Sequence, residues 1–220
     1  MTVSLLVDND VVIKLARMDC FPSGMTALGR SANQIGSIFH MLRYMGIASE
    51  QRRFKFCSSQ AEADRLQAAL ASIVHVELTI EEAKAAAEIM ATALENGHDL
   101  DEGETALMAV AIAREKMEIA TGDKRALLSL APMERLEPRL SVLRGRLICL
   151  EQIFFRLASV HGGRVVTNAV RTCTSADDTI NFIAREFGRD QTHVGPALEH
   201  LVREQIDREA PGWLKPIRKV

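Results

Sequence analysis

A short apolar run near the start of the chain ends abruptly in acids, and this feature most limits the folds open to the sequence. Residues 5–7 are Leu-Leu-Val, and Asp8 and Asp10 follow them. Such a short run is typical of a buried strand, and residues 11–17 predict a helix after it. Parallel α/β sheets place their ligands at the carboxyl edge of the strands, so both acids are candidate site residues. A structural role explains them equally well, with Asp8 ending the strand and Asp10 capping the helix.

Further short apolar runs alternate with helical segments, and this alternation predicts an α/β fold. Besides residues 3–8, we predict strands over residues 74–78, 117–121 and 147–150. We predict a loop over residues 21–24 and helices over residues 26–45, 59–71, 81–94, 105–116, 124–130 and 152–160. Pro132 is expected to end the helix before it. Capping boxes are expected at Ser59/Glu62 and Thr79/Glu82.

The best candidate domain boundary is His161-Gly162-Gly163. We predict an α/β domain over residues 1–160 and a helical C-terminal extension over residues 161–220. Helices are expected over residues 176–187 and 196–209, whereas residues 164–171 fit a helix or a strand. A length of 220 residues suits one α/β domain with an appendage.

Composition excludes several classes of protein. The net charge of −2 excludes a general polyanion binder, so any nucleic-acid contact must come from local patches. The first residues carry acids without a basic segment, unlike a signal peptide, and no apolar run is long enough to span a bilayer. Reduced thiols and a cytoplasmic location are expected because no CxxC pair or zinc spacing links the four cysteines, Cys20, Cys57, Cys149 and Cys173.

The strand-and-acid pattern recurs at Asp123, and the acidic segment 101–104 begins a helix. Strand ends and helix starts can converge at one sheet edge. That convergence would gather Asp8, Glu104 and Asp123. Clustered carboxylates repel, so their pKa values rise or a hard cation binds them, and an all-oxygen site suits Mg²⁺ or Mn²⁺. Helix capping is the simpler explanation of each acid alone, since residues 101–104 fit a capping box and Asp123 fits an N-cap.

Three motifs resemble, in order and approximate spacing, those of the PIN-domain nucleases. They are Val7-Asp8-Asn9, Asp101-Glu-Gly-Glu104-Thr-Ala-Leu-Met-Ala-Val-Ala and Ile119-Ala-Thr-Gly-Asp123. The resemblance covers roughly residues 3–155 and implies a three-layer α/β/α sandwich around a mostly parallel sheet. It implies Mg²⁺- or Mn²⁺-dependent hydrolysis of phosphodiester bonds, usually in RNA. The metal ligands that the motifs imply are Asp8, Glu104 and Asp123, which are also the candidate catalytic residues, and the neighbouring Asp10 and Asp101 are added as candidate ligands.

The resemblance also bears on partners. Many small members of the family are toxins of toxin–antitoxin pairs, so RNA and an antitoxin-like protein are the partners to expect. The sequence leaves open whether the chain forms a homo-oligomer.

Two departures from the family pattern support an alternative function. The family often has another acid in the helix after the first strand–helix unit, but this chain has no Asp or Glu between Asp19 and Glu50. Many members also carry a further acid soon after the last aspartate, whereas here Lys124 and Arg125 follow Asp123. The alternative is a PIN-like binding or assembly module with weak or no catalysis.

A distant third hypothesis is a haloacid-dehalogenase-like phosphatase. Asp8-Asn-Asp10-Val-Val resembles the opening motif of those enzymes, in which the first Asp attacks phosphorus and the second is the general acid. Their late motif normally adds an acid where this chain has Leu127 and Leu128, and Glu104 is left unexplained.

Two basic clusters and one tryptophan complete the candidates. The preferred patch for a nucleic-acid backbone consists of four arginines before the last strand: Arg135, Arg139, Arg144 and Arg146. A solvated face is the simpler interpretation of these residues. The cluster at residues 51–55 is interpreted as a solvated turn. Trp213 is expected to anchor the C-terminal segment by packing.

Overall fold

Five short parallel strands form the centre of the fold, which the computed structural model describes for residues 3–216. The strands are β1 (Leu5–Val7), β2 (Ile35–Ile38), β3 (Val74–Val76), β4 (Glu118–Thr121) and β5 (Leu147–Cys149). Their order in the sheet is β3-β2-β1-β4-β5, and every pairing is parallel. The predicted α/β class with a mostly parallel sheet is therefore confirmed. The order reverses between β1 and β4, which places the topological switch point there.

Helices connect the strands and continue after the last of them. They are α1 (Asn9–Arg17), α2 (Phe21–Ala27), α3 (Phe39–Met45), α4 (Glu50–Arg53), α5 (Gln60–Ser72), α6 (Ile80–Glu95), α7 (Glu102–Ala113), α8 (Lys124–Leu136), α9 (Leu150–His161), α10 (Gly163–Thr172), α11 (Asp178–Phe187) and α12 (Val194–Leu201). Short 3₁₀ turns cover Ala32–Gln34 and Pro138–Leu143, and a π-helical turn covers Val202–Asp207.

Two separate hydrophobic cores lie on the two faces of the sheet. Successive strand side chains alternate between the faces, so Leu5 and Val7 join one core and Leu6 joins the other. The first core receives side chains from α1, α2, α5 and α9 to α12, and the second from α6, α7 and α8. Helices thus cover both faces of the sheet, an arrangement compatible with a three-layer sandwich.

Capping groups begin several helices as predicted. Thr79 and Glu82 form the expected capping box of α6, with both reciprocal hydrogen bonds present. Ser59 caps α5, but the Glu62 carboxylate accepts from the backbone N–H of Ser58 and from Arg17 instead of closing the box. Asp8 rather than Asp10 is the N-cap of α1, which begins two residues earlier than predicted.

The prediction of one helix over residues 26–45 is wrong, because β2 lies inside that range. A Cβ atom on Gly36 would lie 2.7 Å from a side-chain carbon of Val3 and 2.8 Å from one of Val76. The packing around β2 therefore leaves no room for a side chain at this position, and local periodicity does not reveal that requirement.

Two other local predictions are also wrong. Residues 21–24 begin α2 instead of forming a loop, with Pro22 in the first turn, where its missing N–H costs nothing. Pro132 lies inside α8 instead of ending it. Both Pro132 and Leu128 are exposed, so water can reach the backbone carbonyl that the proline leaves without a donor.

The residues after α9 pack on both cores. Gly162, with φ of 83°, joins α9 to α10, so the helix-or-strand ambiguity of residues 164–171 resolves to a helix. The helix predicted over residues 196–209 is α12 followed by the π-helical turn. Trp213 is fully buried in the second core, as predicted, and Leu214 forms a parallel bridge with Leu147. The division at residues 160/161 stays a prediction, and residues 1–2 and 217–220 of the two predicted domains lie outside the described residues.

Two compositional expectations concern side-chain state and membranes. All four cysteines are buried and free, as expected of reduced thiols. Between residues 3 and 216, no helix combines the length and the apolar character that a bilayer crossing requires.

Candidate functional site

The predicted acids meet at the carboxyl edge of the sheet, where the strand order reverses. Asp8 follows β1 directly, and its backbone N–H donates to the carbonyl of Ala120 in β4 at 2.9 Å. Asp123 follows β4 by two residues and caps α8. The switch point of the sheet therefore places both strand-end acids side by side, which is where open α/β sheets hold ligands. We call this region the acid edge and define it by Asp8, Asp101, Glu104 and Asp123.

The Asp8 carboxylate is buried and makes two local hydrogen bonds. Its Oδ1 accepts from the backbone N–H of Asn9 at 2.6 Å, and its Oδ2 accepts from the Thr121 hydroxyl at 3.3 Å. The same hydroxyl oxygen accepts from the backbone N–H of Asp123 at 3.1 Å. One threonine side chain thus joins the two strand-end aspartates.

Glu104 enters the acid edge from the first turn of α7. Its Oε2 accepts from the backbone N–H of Asp101 at 2.9 Å, and Asp101 Oδ1 accepts from the Glu104 N–H at 2.8 Å. The capping box expected from the sequence is therefore present. It does not separate these residues from the acid edge, because the charges of Asp8, Asp101 and Asp123 all act on Glu104.

Burial without a cationic partner controls the protonation of two of these acids. Burial raises the pKa of Asp8 to about 7, and the charges of Asp10 and Asp101 add to the shift. Burial raises the pKa of Glu104 to about 8, with further contributions from the three neighbouring carboxylates. Within residues 3–216, neither side chain forms a salt bridge with Lys, Arg or His. Both carboxyls are therefore partly protonated near neutral pH unless a cation joins them.

Asp10, a predicted metal ligand, already has a cationic partner. Lys14 Nζ lies 3.1 Å from Asp10 Oδ2 and 3.3 Å from Asp177 Oδ2, at the start of α11. Burial lowers the pKa of Lys14, but the two carboxylates outweigh burial and raise it. Asp10 also lies against the turn after β4, since a Cβ on Gly122 would be 3.0 Å from Asp10 Cβ.

Asp123, a predicted catalytic residue, is held by Arg125. The Arg125 guanidinium donates to both Asp123 oxygens, at 2.8 and 3.3 Å, and its third nitrogen lies 2.9 Å from Asp99 Oδ2. Burial raises the pKa of Asp123, but these bonds outweigh it and lower the pKa. Of the two basic residues that depart from the family pattern, Arg125 thus faces the acid edge, whereas Lys124 pairs with Glu151 at 2.7 Å.

The donor atoms of the acid edge suit a hard divalent cation, although they are not gathered into a site. Within residues 3–216, no three His, Cys, Asp or Glu side chains are arranged so that they could hold a metal ion. Asp8 and Glu104 nevertheless offer buried carboxylate oxygens without a cation. Mg²⁺ and Mn²⁺ prefer oxygen donors, so this donor set fits them, and Asp123 would join it once released by Arg125.

Several residues around the acid edge were not among the sequence candidates. Thr121 and Lys14 organise Asp8 and Asp10, and Asp99 shares Arg125 with Asp123. The only sequence signal for Thr121 is its position two residues before Asp123 at the end of a predicted strand. Nothing in the sequence indicates the second partners of Arg125 and Lys14, because Asp99 and Asp177 become their neighbours only through the fold.

Two of the four arginines in the patch preferred from the sequence are paired with glutamates. Arg139 pairs with Glu137 and Glu88, and Arg144 pairs with Glu134. The Arg144 guanidinium also lies 4.7 Å from the ring centre of Trp213. This patch precedes β5, so it belongs to the edge of the sheet opposite the acids.

Comparisons of the chain with protein-family models, with curated proteins and with solved structures found no match. The proposals below therefore depend on the motifs, the strand order and the geometry of the acid edge.

Proposed function

We propose that this protein is a metal-dependent nuclease that hydrolyses phosphodiester bonds, in RNA more than in DNA. Asp8 and Glu104 would hold Mg²⁺ or Mn²⁺, together with Asp123 once Arg125 releases it. One observation carries the proposal: two buried carboxyl groups from separate elements lie at the switch point of a parallel sheet, and within residues 3–216 neither forms a salt bridge. Such an arrangement is costly in a metal-free protein, and a bound cation removes the cost.

The residues around the acids have distinct roles in this proposal. Thr121 holds Asp8 beside the main chain of Asp123, and the N–H of Asp101 fixes one oxygen of Glu104. These bonds leave little freedom to the two carboxylates, which favours a preorganised site. A divalent ion bound there would supply an activated water and charge stabilisation at the phosphoryl oxygens. Arg125 would limit access to Asp123 until substrate phosphate or metal competes with it.

The alternative, a PIN-like binding or assembly module with weak or no catalysis, also has an observation in its favour. Two of the five candidate ligands, Asp10 and Asp123, are already neutralised by Lys14 and Arg125. In that case the basic side chains would substitute for the cation permanently. An antitoxin-like partner and a cytoplasmic location remain proposals under either function.

Cleavage of a single-stranded RNA in the presence of Mn²⁺ tests the proposal. Asp8→Asn and Glu104→Gln keep the shape of each side chain but remove its charge. Because metal-assisted charge stabilisation is worth several kcal/mol, we expect each variant to lose about 100-fold or more in rate. Glu102→Gln is the matched control, since Glu102 is an exposed acid in the same turn of α7 and should retain activity.

Two outcomes would redirect the assignment. Equal cleavage by the wild type and all three variants would exclude the nuclease proposal. Hydrolysis of an aryl phosphate that is lost in Asp8→Asn but kept in Glu104→Gln would favour the phosphatase hypothesis, in which only Asp8 forms a covalent intermediate.

A further inference from the structure

We propose that an exposed surface on α3 and on the segment through α4 binds single-stranded nucleic acid and leads it to the acid edge. We call it the basic–aromatic track and define it by Phe39, Arg43, Tyr44, Arg52, Phe54 and Lys55. Its destination rests on the proposed nuclease function, but its capacity to bind does not. The track replaces the interpretation of residues 51–55 as a solvated turn.

The charge of the track is positive and unneutralised. Residues 43–56 contain four basic side chains and one acid, Glu50, in a chain whose net charge is −2. Among residues 3–216, no carboxylate forms a salt bridge with Arg43, Arg52 or Lys55, and all three are exposed. This contrasts with the arginine patch before β5, where Arg139 and Arg144 are both paired with glutamates. Free cations on a weakly acidic protein favour a polyanionic ligand.

The aromatic side chains of the track are exposed and unusually concentrated. The chain has eight Phe, one Tyr and one Trp, and four of these ten residues lie between positions 39 and 56. The side chains of Phe39, Tyr44 and Phe54 are 39%, 59% and 43% exposed. Tyr44 packs edge-on against the half-buried Phe56, with ring centres 5.3 Å apart, and this contact holds the exposed Tyr44 ring in place. In proteins that bind single-stranded nucleic acid, cations contact the phosphates and unpaired bases stack on exposed aromatic rings between them.

The position of α3 connects the track to the acid edge. β2 lies beside β1, and the Ser37 hydroxyl donates to the Val7 carbonyl at 2.8 Å. α3 starts where β2 ends, at the same edge at which Asp8 ends β1. The Met41 side chain of α3 also lies against the first turn of α7, since a Cβ on Gly103 would be 3.1 Å from Met41 Cε.

Along the track, Phe39 begins α3 at this edge, with its ring centre 5.3 Å from that of His75 in β3, and Arg43 and Tyr44 lie one helical turn farther along. Arg52 then contacts the C-terminal part of α3, because its guanidinium donates to the Arg43 carbonyl at 3.2 Å. The surface thus runs from the segment through α4 to the start of α3, at the carboxyl edge of the sheet that also carries the acids.

Charge alone would also suit an acidic peptide. Alternation of cations with exposed rings favours nucleic acid over such a peptide, because stacking on a ring face uses the flat bases that a peptide lacks. RNA and DNA share this chemistry, so the experiment must compare them.

Fluorescence anisotropy with labelled 12-nucleotide RNA and DNA of one sequence, in EDTA, tests the track without cleavage. We expect salt-sensitive binding of the wild type, with the dissociation constant rising about tenfold in Arg52→Gln/Lys55→Gln and the salt slope falling by about 1.4, at about 0.7 for each lost phosphate contact. Phe54→Leu, which keeps an apolar side chain but removes the ring, should weaken binding about tenfold. Arg139→Gln is the matched control, because it removes a paired arginine at the opposite edge and should leave binding unchanged.

Three results would overturn the track. They are no binding by the wild type, equal weakening by Arg139→Gln, or binding of a polyglutamate peptide that competes with both nucleic acids and is lost in the same variants. The last result would identify an acidic peptide as the ligand instead. Binding in EDTA that persists while neither the wild type nor any variant cleaves would refute the nuclease proposal alone. Metal-dependent cleavage that is unaffected in the track variants would leave the nuclease and refute the track as the route to the acid edge.

Discussion

Glu82 and Glu104 occupy equivalent positions in neighbouring helices, yet the protein treats them in opposite ways. Each is the third residue of its helix, each closes a capping box, and they are 4% and 7% exposed. Arg114 donates to both Glu82 oxygens, at 2.7 and 2.8 Å, and these bonds outweigh burial and lower the Glu82 pKa. Among residues 3–216 no cationic side chain donates to the Glu104 carboxylate, although the charge of Arg125 acts on it, and burial raises its pKa to about 8.

The comparison separates a structural acid from a candidate functional one. Helix capping explains why both residues are glutamates, so capping cannot explain why one is neutralised and the other is left beside more acids. If Glu104 served only as a helix cap, a cation paired with it would stabilise the fold, as Arg114 does when it pairs with Glu82. The missing partner is therefore the feature that indicates a ligand site at the acid edge.

Removing the partner of the structural acid should have the largest effect on stability. In Arg114→Ala, Glu82 is left buried with no cation, and we expect the free energy of unfolding at pH 7 to fall by roughly 2–3 kcal/mol. This lies below the 3–5 kcal/mol typical of breaking a fully buried pair, because the Arg114 side chain is 35% exposed. Urea denaturation measures the change.

A double variant sharpens that prediction. In Arg114→Ala/Glu82→Gln the buried charge is gone, so much of the lost stability should return. If the single and double variants are equally unstable, the arginine acts by packing and the contrast with Glu104 is weaker than proposed.

Neutralising the candidate functional acid should have the opposite sign and a smaller size. Without metal, Glu104→Gln should raise the free energy of unfolding at pH 8.5 by about 1–2 kcal/mol, because the wild type must ionise a buried carboxyl there. At pH 4 the gain should vanish, since Glu104 is then protonated in both the folded and the unfolded chain, whose pKa values for this group are about 8 and 4.5. Urea titrations in EDTA at both pH values check this, with Glu102→Gln as the exposed control.

The sign follows from proton binding. The unfolded chain loses the Glu104 proton near its ordinary pKa of 4.5, whereas the folded chain keeps it to about pH 8. The folded state binds more protons over that range, so Glu104 makes the protein less stable as the pH rises through it. Glu82, whose pKa is lowered, instead contributes stability that is lost as the pH falls through its folded pKa. A stabilising effect of Glu104→Gln that is as large at pH 4 as at pH 8.5 would contradict the raised pKa.

Freeing Asp123 should have the smallest effect. In Arg125→Ala the Asp123 carboxylate loses an exposed partner, and we expect Mn²⁺ affinity to rise by only about threefold, since solvent weakens exposed ion pairs. Arg139→Ala is a matched control, because Arg139 also pairs with an acid two residues before it, Glu137. Weaker Mn²⁺ binding by Arg125→Ala would show that Arg125 supports the acid edge instead of blocking it.

Local rules predicted much of the fold from the sequence. These features depend on neighbouring residues or on simple composition: the capping boxes at Thr79 and Asp101, the burial of Trp213, and the strands predicted over residues 3–8, 74–78, 117–121 and 147–150. β2 was missed because its identity depends on distant partners, Val3 and Val76, which pack against Gly36. The continuation of α8 past Pro132 depends on exposure, which the sequence does not state.

The candidate site divides in the same way. The positions of Asp8 and Asp123 at strand ends follow from local pattern, and parallel topology brings them together at the switch point. The pairs Asp10–Lys14 and Asp123–Arg125 are local in the sequence, whereas Lys14 reaches Asp177 and Arg125 reaches Asp99 only in the fold. The same holds for Glu104, whose distinction from Glu82 depends on Arg114.

Calorimetric titration of Mn²⁺ at pH 6 and pH 8 tests the central claim most directly. If the acid edge is a cation site, the wild type binds Mn²⁺ more tightly at pH 8 and releases protons on binding, because the ion displaces those held by Asp8 and Glu104. Glu104→Gln should lose most of this binding, and Glu102→Gln should keep it. Equal Mn²⁺ affinity in the wild type and Glu104→Gln, or no binding at either pH, would contradict the account.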